Sequence, residues 1–430
     1  MTTADVGDTQ AQGAPDAPPG FAERVMPLDP YQVELEAIDV AQPHLFQARQ
    51  QYAYFERLRK EAPVHYSPSG EFGPYWSITR YEDIQYVDTH HHVFSSEPAI
   101  VLQDPQEELP MEMFIAMDPP KHDRQRKEVS PVVGPRNLAV LQHTIRERVC
   151  NILDSLPRNE TFNWVDLVSI ELTTQMLATL FDFPFEDRRK LTWWSDVATA
   201  RVEPGGLCET DEERREILRE CLTYFMGLWE QRKDNEDGND LISMLARGES
   251  TRDMPPMEFL GNLILLIVGG NDTTRNSISG GLVALDEFPD EMAKLRANPE
   301  LIPNMVSEII RWQTPLAYMR RRANQDTTLG GHTIREGDKV AMWYASGNRD
   351  PEIFADADRL LIDRDNARRH MSFGFGVHRC MGNRLAEMQL RILWEEILPR
   401  FPKIEIMGDP VRVRSTFVQG YTELPVRLPA

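Results

Sequence analysis

Apolar residues follow a helical period along most of this chain. Residues 211–233 carry an apolar stripe, open with acidic side chains and close with basic ones, as the dipole of a surface helix favours. Residues 257–288 contain no proline and include Leu263–Val268, which is apolar on every side of a helix. This long segment is therefore predicted to be a helix buried in the core. Further helices are predicted at about 299–313 and 384–399.

Short segments with strand signals separate some of these helices. They are residues 64–66, residues 75–78, and a strand-and-turn pattern over His332–Tyr344. Residues 1–22 are rich in Ala, Pro, Gly and Asp without apolar periodicity, which predicts a disordered or loosely packed arm. The pattern favours a mainly α fold with small β-sheets, in which residues 23–430 form a single domain.

Composition narrows the classes of function. The 430 residues are 41% hydrophobic, enough for a large core, and the formal net charge of -21 argues against nucleic acid as a partner. Four cysteines are too few for a disulfide framework, and none has the close spacing of zinc ligands. The chain shows neither a long apolar run nor an export signal, so we expect a soluble, cytoplasmic protein with no membrane span.

Residues 373–382, here called the cysteine loop, read Phe-Gly-Phe-Gly-Val-His-Arg-Cys-Met-Gly and stand just before a predicted helix. Gly374 and Gly376 let the backbone approach a flat ligand, and Gly382 removes a side chain next to Cys380. A helix N-terminus favours a thiolate and can hydrogen-bond its sulfur, which suits a metal ligand. A buried, unreactive cysteine in a glycine-rich turn is the simpler alternative for a lone cysteine.

The cysteine loop resembles the haem-binding loop of the cytochrome P450 superfamily, the haem-thiolate monooxygenases. The resemblance implies the cytochrome P450 fold, haem b ligated by Cys380, and insertion of one atom of O2 into an unactivated C–H bond. Among three consecutive arginines, the resemblance implies that Arg321 binds a haem propionate, with Arg320 and Arg322 as alternatives. The full set of implied haem-binding residues is His122, Arg126, Arg321, Phe373, Gly374, His378, Cys380 and Gly382.

A charged pair upstream matches the Glu-x-x-Arg motif of the same family. Glu308 and Arg311 supply this pair, and Arg359 is its implied third member. Alone, a Glu and an Arg three residues apart on a helix would be read as a surface salt bridge that contributes about 0–1 kcal/mol. The resemblance implies instead a buried structural group, in which loss of one member leaves an unpaired charge.

Polar residues interrupt the apolar run of the long predicted helix at Gly269–Thr274. The segment resembles the acid-alcohol pair of the family, which implies that Thr273 hydrogen-bonds dioxygen and that Asp272 relays protons to it. Gly269 and Gly270 would make room for the oxygen. The alternative is a helix irregularity in which Thr273 bonds back to the carbonyl four residues earlier and Asp272 faces solvent.

The wider segment IVGGNDTTRNSISGG, with FSSEPAIVLQD, resembles soluble bacterial cytochromes that hydroxylate the terminal carbon of medium-chain alkanes and fatty acids. This resemblance includes Asn271, Arg275 and Asn276, for which we have no independent physical reason why a terminal hydroxylase needs them. The loop at about 95–113 and the region of Trp193, Trp194 and Phe225 are expected to supply further walls of the substrate pocket. The expected substrate-facing residues are Leu265, Leu266, Val268, Gly269, Leu316, Ala317 and Tyr318.

Two other functions stay open at this point. The first is a similar monooxygenase that acts on terpenes, aromatics or cyclic amines. The second is a haem-based gas sensor or electron carrier, which would need neither the acid-alcohol pair nor a large apolar cavity.

No segment resembles a flavin or nicotinamide domain, so electrons are expected from a separate protein. Basic residues lie in segments expected near the cysteine loop. They predict a positive patch that attracts an acidic iron–sulfur ferredoxin, which receives its electrons from a reductase. A mixed, solvated surface is the alternative. The basic residues are Lys121, Arg124, Lys127, Arg364, Arg368, Arg369, Arg379 and Arg384.

Overall fold

The structure is a computed structural model that describes residues 25–105 and 111–429. The arm predicted at residues 1–22 lies outside the described residues. The α-helices, numbered α1 to α14 in chain order, are Pro43–Gln47, Gln51–Glu61, Tyr81–Thr89, Lys121–Val129, Pro135–Asp154, Glu171–Phe181, Arg189–Thr199, Asp211–Arg232, Leu241–Arg247, Pro256–Glu287, Pro289–Ala297, Ile302–Gln313, Tyr344–Gly347 and Asn383–Arg400. The β-strands, numbered β1 to β12, are Val64–Ser67, Tyr75–Ile78, Phe94–Ser95, Thr161–Asn163, Met319–Ala323, Thr327–Leu329, His332–Ile334, Lys339–Met342, Glu405–Ile406, Val411–Arg412, Tyr421–Glu423 and Pro425–Arg427.

The strands form small sheets beside the helices. The largest has the order β1-β2-β8-β5-β3, in which β2 and β8 run parallel and the other pairs are antiparallel. A three-stranded sheet has the order β4-β12-β9, and the pairs β6-β7 and β10-β11 stand by themselves. The predicted fold class, mainly α with small β-sheets, is confirmed.

Helix α10 is the long helix predicted from the apolar pattern. Pro256 lies in its first turn and Pro289 follows its end, which suits the backbone limits of proline. Its 32 residues extend about 48 Å at 1.5 Å per residue. Helices α6, α7, α12 and α14 pack against it, so the helix lies in the core as predicted. None of the described helices is both long and apolar enough to cross a membrane.

The other predicted elements are present with small shifts of their ends. The surface helix at 211–233 is α8, and the helix at 384–399 is α14. The helix at 299–313 is α12, preceded by the 3-10 turn Pro299–Leu301. The pattern over His332–Tyr344 contains β7 and β8. Local hydrophobic periodicity is therefore enough to locate these elements.

A fully buried ion group lies at α12. Arg311 donates to Glu308 through Nε and Nη2, at 2.7 Å each. The third member is Arg364, whose Nε lies 3.0 and 3.1 Å from the two Glu308 carboxylate oxygens. The prediction of Arg359 is wrong: its side chain is exposed, and its main-chain carbonyl accepts from Arg311 at 2.8 Å. The backbone of residue 359, rather than its side chain, lies beside Glu308 and Arg311, so the Arg359 side chain points to solvent.

The ion group also anchors the irregular segment that leads to the cysteine loop. Arg311 Nη1 donates to the carbonyls of Asn348 and Ala357 at 2.7 Å each, and Leu361 N–H donates to Glu308 at 2.9 Å. The Asn348 side chain then accepts from the Met371 N–H at 2.8 Å, two residues before the loop. The position of the loop therefore depends on this group.

Candidate active site

A cavity of about 220 Å³ lies between α10 and α14 and opens to solvent. The cysteine loop and the first turns of α14 form one part of its wall, and one face of α10 forms another. Helix α6, the 3-10 turn Phe114–Ala116 and β5 supply further lining residues. Most lining side chains are apolar, and the polar ones are few, as in a pocket for a largely apolar ligand.

The backbone of the cysteine loop places Cys380 at the cavity. Gly374 and Gly376 both have a φ of 63°, a backbone conformation that residues with a side chain rarely adopt. A Cβ at Gly376 would lie 2.8 Å from the Asp88 carbonyl oxygen, so the loop also needs glycine there for close packing. The Cys380 N–H donates to the Phe373 carbonyl at 2.8 Å and closes the loop.

The surroundings of the Cys380 sulfur suit a metal ligand. Burial raises the pKa of the Cys380 thiol, whereas the N–H groups of Gly382 and Asn383 and the guanidinium groups of Arg126 and Arg379 oppose the rise. The net shift is upward, so these partners alone do not stabilise the thiolate. A coordinated metal ion deprotonates a thiol outright, and a haem iron would supply that charge.

Buried imidazoles beside the loop have nitrogen atoms without hydrogen-bond partners. Among the described residues, neither nitrogen of His378 has a partner, nor does His122 Nε2, and the two ring centroids are 4.2 Å apart. Desolvation and the charges of Arg321, His122 and Arg126 lower the pKa of His378 to about 2. Unpaired buried donors next to cations call for anionic acceptors, and the propionates of a haem fit this requirement.

Arg321 is the cavity-facing member of three consecutive arginines. Side chains alternate along β5, and Arg321 lines the cavity while its Nη2 donates to Asp88 at 2.8 Å. Arg320 points to the opposite face and pairs with Asp104 at 2.8 Å, and Arg322 shares that face by alternation. The structure therefore favours Arg321 over both alternatives.

Thr273 lies at the cavity on the α10 face that also carries Gly269. Its Oγ1 donates to the Gly269 carbonyl at 3.0 Å, the back-bond that the sequence allowed as an alternative. A Cβ at Gly269 would meet no atom within 4 Å, whereas a Cβ at Gly270 would lie 2.6 Å from Leu177 Cδ2. Gly269 thus keeps space open beside the Thr273 hydroxyl, and Gly270 allows α6 to pack closely.

Asp272, which the resemblance implies to relay protons to the oxygen, does not line the cavity. It does not face solvent either, because its side chain is fully buried. Successive helical residues are about 100° apart, so with Thr273 at the cavity the Asp272 carboxylate points towards α7. There it accepts from Ser195 at 3.0 Å, Thr199 at 3.3 Å and Arg275 at 2.9 Å.

Comparisons with known proteins agree with this geometry. Residues 207–417 match the family model described as Cytochrome P450. A linalool 8-monooxygenase from Pseudomonas putida is 35% identical over 406 residues, which cover 92% of this chain and 99% of that protein. This chain belongs to the cytochrome P450 family.

Two further likenesses extend over most of the chain. A methyl-branched lipid omega-hydroxylase from Mycobacterium tuberculosis is 33% identical over 387 residues, which cover 86% of this chain and 90% of that protein. The solved structure of cytochrome P450-153 from Novosphingobium aromaticivorans has a TM-score of 0.86 at 45% identity and covers 91% of this chain and 99% of that chain. The predicted enzyme class, a cytochrome P450 monooxygenase, is confirmed.

Cytochromes P450 use haem b with a thiolate-ligated iron, and the haem supplies the activation of O2. In this cytochrome P450, most of the residues implied to hold the haem line the cavity. His122 does not line it and contacts His378 instead. The lining members of the set are Arg126, Arg321, Phe373, Gly374, His378, Cys380 and Gly382.

The substrate-facing residues expected from the sequence divide into two groups. Leu265, Leu266, Gly269 and Leu316 line the cavity. Val268 does not line the cavity. The lining positions of α10 recur at helical spacing on one face of the helix, and Val268 lies outside that face. The expectations for Ala317 and Tyr318 are also wrong. Both are buried in a separate core cluster that includes Trp343, and Tyr318 Oη accepts from the Leu102 N–H at 3.0 Å.

The aromatic residues expected near the pocket lie elsewhere. Trp194 and Phe225 are fully buried in the core, and Trp193 is 40% exposed at the surface. None of the three lines the cavity. The loop at about 95–113 was also expected to supply a wall of the pocket, but its described residues do not line the cavity. The two residues that follow this loop, Phe114 and Ile115, line the cavity.

Several lining residues were not predicted. Met319 shares the cavity face of β5 with Arg321, so strand alternation could have identified it. The residues of α6 have the apolar helical spacing of any core helix, and no signal in the sequence sets them apart. The unpredicted residues include Val132, Val133, Met176, Leu177, Leu180, Leu241, Thr274 and Ser277.

Proposed function

We propose that this cytochrome P450 hydroxylates the terminal carbon of medium-chain alkanes or fatty acids. The observation that carries the proposal is the apolar wall of α10 next to Thr273. Leu265 and Leu266 share a helix face with Thr273, and Leu316 contributes from the segment before β5. Open space beside Gly269 leaves room for a substrate carbon near the Thr273 hydroxyl.

Attack at the chain end requires restriction by the pocket. The C–H bond of a methyl group is harder to cleave than that of a methylene group, so terminal products need a channel that presents the chain end first. The relative named methyl-branched lipid omega-hydroxylase is an enzyme whose name places its reaction at a chain end. That likeness supports the proposed regioselectivity here.

A terpene is the second candidate substrate. The relative named linalool 8-monooxygenase, at 35% identity, favours it. Linalool is a branched, mainly apolar alcohol, and an apolar wall with a few hydroxyl groups would accept it as well as a linear chain.

A titration and product analysis separate these candidates. Medium-chain alkanes, fatty acids and linalool are each added to the ferric holoenzyme, the haem absorption is followed, and the products are identified after turnover. We expect the linear substrates to bind and to emerge hydroxylated mainly at the terminal carbon. Mainly subterminal products from every linear substrate, or binding of linalool alone, would contradict the proposal.

A pair of α10 variants tests the role of the wall. Leu266→Phe adds bulk on the cavity face and should change the ratio of terminal to subterminal products. Val268→Leu changes a neighbouring position off that face and serves as the control. Equal changes in both variants would show that the ratio does not depend on this wall.

We also propose that a ferredoxin with its reductase supplies the electrons. Seven of the eight predicted basic residues are exposed around α4 and the cysteine loop, and Arg364 is buried. Two of the eight leave the predicted patch: Arg364 is buried against Glu308, and Lys121 is paired with Glu112 and Glu258. The remaining basic patch consists of Arg124, Lys127, Arg368, Arg369, Arg379 and Arg384.

Ferredoxin-driven reduction across a salt series tests the basic patch. Attraction between exposed charges weakens as salt screens it, so the reduction rate should fall with salt and with Lys127→Glu or Arg369→Glu. Lys60→Glu makes the same charge change at an exposed site on α2 and is the control. A rate indifferent to salt and to both reversals would exclude the patch, although the need for an electron donor would stand.

A further inference from the structure

Asp88, in the last turn of α3, lies directly behind the wall of the cavity. Its side chain is 1% exposed. Its Oδ1 accepts from Arg321 Nη2 at 2.8 Å, and its Oδ2 accepts from the Tyr344 hydroxyl at 2.8 Å. Both donors line the cavity, whereas Asp88 does not. One buried carboxylate is therefore bonded to two residues that face the space for the haem.

The same carboxylate is bonded to the cysteine loop. Its Oδ2 also accepts from the Phe375 N–H at 2.8 Å. A Cβ at Gly374 would lie 3.1 Å from this oxygen, so the loop backbone passes close to the charge. All three bonds are donated to Asp88, as suits an ionised carboxylate, which can only accept. Asp88 is therefore an anion that three donors fix beside the haem-binding elements.

Arg321 is the cation that pairs with Asp88. Its side chain is 3% exposed, and its Nη1 donates to the Arg320 carbonyl at 2.9 Å. A guanidinium group that binds a haem propionate as well as Asp88 is shared between two anions. Because Arg321 and Asp88 are both buried, solvent and salt screen their charges much less than charges at the surface.

We propose that Asp88 is a positioning residue for electron acceptance, which acts through Arg321 to keep the reduction potential of the haem low. The ferric haem takes up one electron from a separate donor and so carries one more positive charge than the ferrous haem. A fixed anion nearby stabilises the ferric form. The Asp88 charge does this directly, and its bond to Arg321 weakens the opposite effect of the guanidinium group. Both effects make the iron harder to reduce, whichever substrate is bound.

The decisive variant is Asp88→Asn, which has nearly the same shape but no charge. We expect the midpoint potential of the holoenzyme, measured by spectroelectrochemical titration, to shift upward equally with and without substrate. Glu291→Gln is the matched control, because Glu291 is also a buried carboxylate that accepts from a main-chain N–H and pairs with a cation. Its partners, the Ile362 N–H and Lys294 Nζ, do not line the cavity, so the potential should not change. An unchanged or lower potential in Asp88→Asn would overturn the proposal.

Tyr344→Phe separates the effect of the charge from that of the hydrogen bonds. It removes one donor and leaves the Asp88 carboxylate less neutralised, so the potential should shift downward, opposite to the shift in Asp88→Asn. Shifts of the same sign in the two variants would show that Asp88 only holds the loop in place, and would overturn the proposal. If Asp88→Asn does not bind haem, Tyr344→Phe decides alone: a downward shift supports the proposal, and an unchanged or upward shift overturns it.

Discussion

Two groups of carboxylates and arginines in this cytochrome P450 have opposite compositions, and each contains a fully buried carboxylate. The Glu308 group, formed by Glu308, Arg311 and Arg364, has one carboxylate and two guanidinium groups. The Asp272 group, formed by Asp272, Asp196 and Arg275, has two carboxylates and one guanidinium group. Each group therefore has one formal charge in excess, positive in the Glu308 group and negative in the Asp272 group. The two groups differ in the kind of atom that surrounds their charged side chains.

Main-chain carbonyls surround the arginines of the Glu308 group. They belong to residues 348, 355, 356, 357 and 359, and a carbonyl cannot move unless the backbone moves. Side-chain hydroxyls and an amide surround Asp272, from Ser195, Thr199 and Asn271. These rotate about single bonds at small cost. The first arrangement suits a fixed anchor for the cysteine loop, whereas the second leaves the Asp272 carboxylate free to exchange its contacts.

The largest effect is expected from Glu308→Ala. It leaves Arg311 and Arg364 buried without a carboxylate, which should cost about 3–5 kcal/mol of unfolding free energy and cause loss of haem. Denaturant unfolding and the haem-to-protein ratio measure both effects. Arg412→Ala, at an arginine outside the group, is the control. A Glu308→Ala protein with parent stability and full haem content would contradict the role of this group as an anchor.

Cys380→Ala removes the proposed iron ligand while the Glu308 group stays intact. We expect the reduced carbon monoxide adduct to lose the red-shifted absorption of thiolate ligation and monooxygenase activity to disappear, with the protein still folded. Cys150→Ala, at a cysteine on α5 outside the cavity, should keep both the absorption and the activity. Survival of the absorption in Cys380→Ala would mean that another residue ligates the iron.

Asp272→Asn tests the Asp272 group directly. An amide can keep some of the hydrogen bonds to Ser195 and Thr199 but cannot carry a proton as a carboxyl does, so turnover should slow substantially while stability changes little. Turnover and unfolding are measured on the same preparation. The contrast with Glu308→Ala would fail if Asp272→Asn lost stability and haem to the same extent.

Thr273→Ala should have a smaller effect on electron consumption than on product yield. Without the hydroxyl at the cavity, protons reach the oxygen site less selectively, and reducing equivalents are released largely as hydrogen peroxide. The ratio of product to electrons consumed measures this loss of coupling. Thr273→Ser keeps the hydroxyl and should keep most of the coupling. An equal ratio in Thr273→Ala and the parent would remove the proposed role of Thr273.

The contrast between the two groups also shows what sequence can predict. Hydrophobic periodicity locates α10, and the glycine pattern locates the cysteine loop, because both depend on neighbours along the chain. The third member of the Glu308 group depends on how the irregular segment 348–364 turns, and no periodicity distinguishes Arg359 from Arg364 there. In the same way, the contacts of Asp272 come from α7, whose register against α10 is a tertiary property.

The smallest effect is expected from Arg359→Ala, at the position that sequence alone would assign to the Glu308 group. Its side chain is exposed, and what Arg311 uses is the main-chain carbonyl, which any residue supplies. The unfolding free energy should therefore stay within about 0.5 kcal/mol of the parent, as is usual for surface substitutions. Arg364→Ala is the matched comparison, since it removes a guanidinium group that contacts both oxygens of Glu308. If Arg359→Ala destabilised the protein as much as Arg364→Ala, the side chain of Arg359 would contribute to the anchor after all.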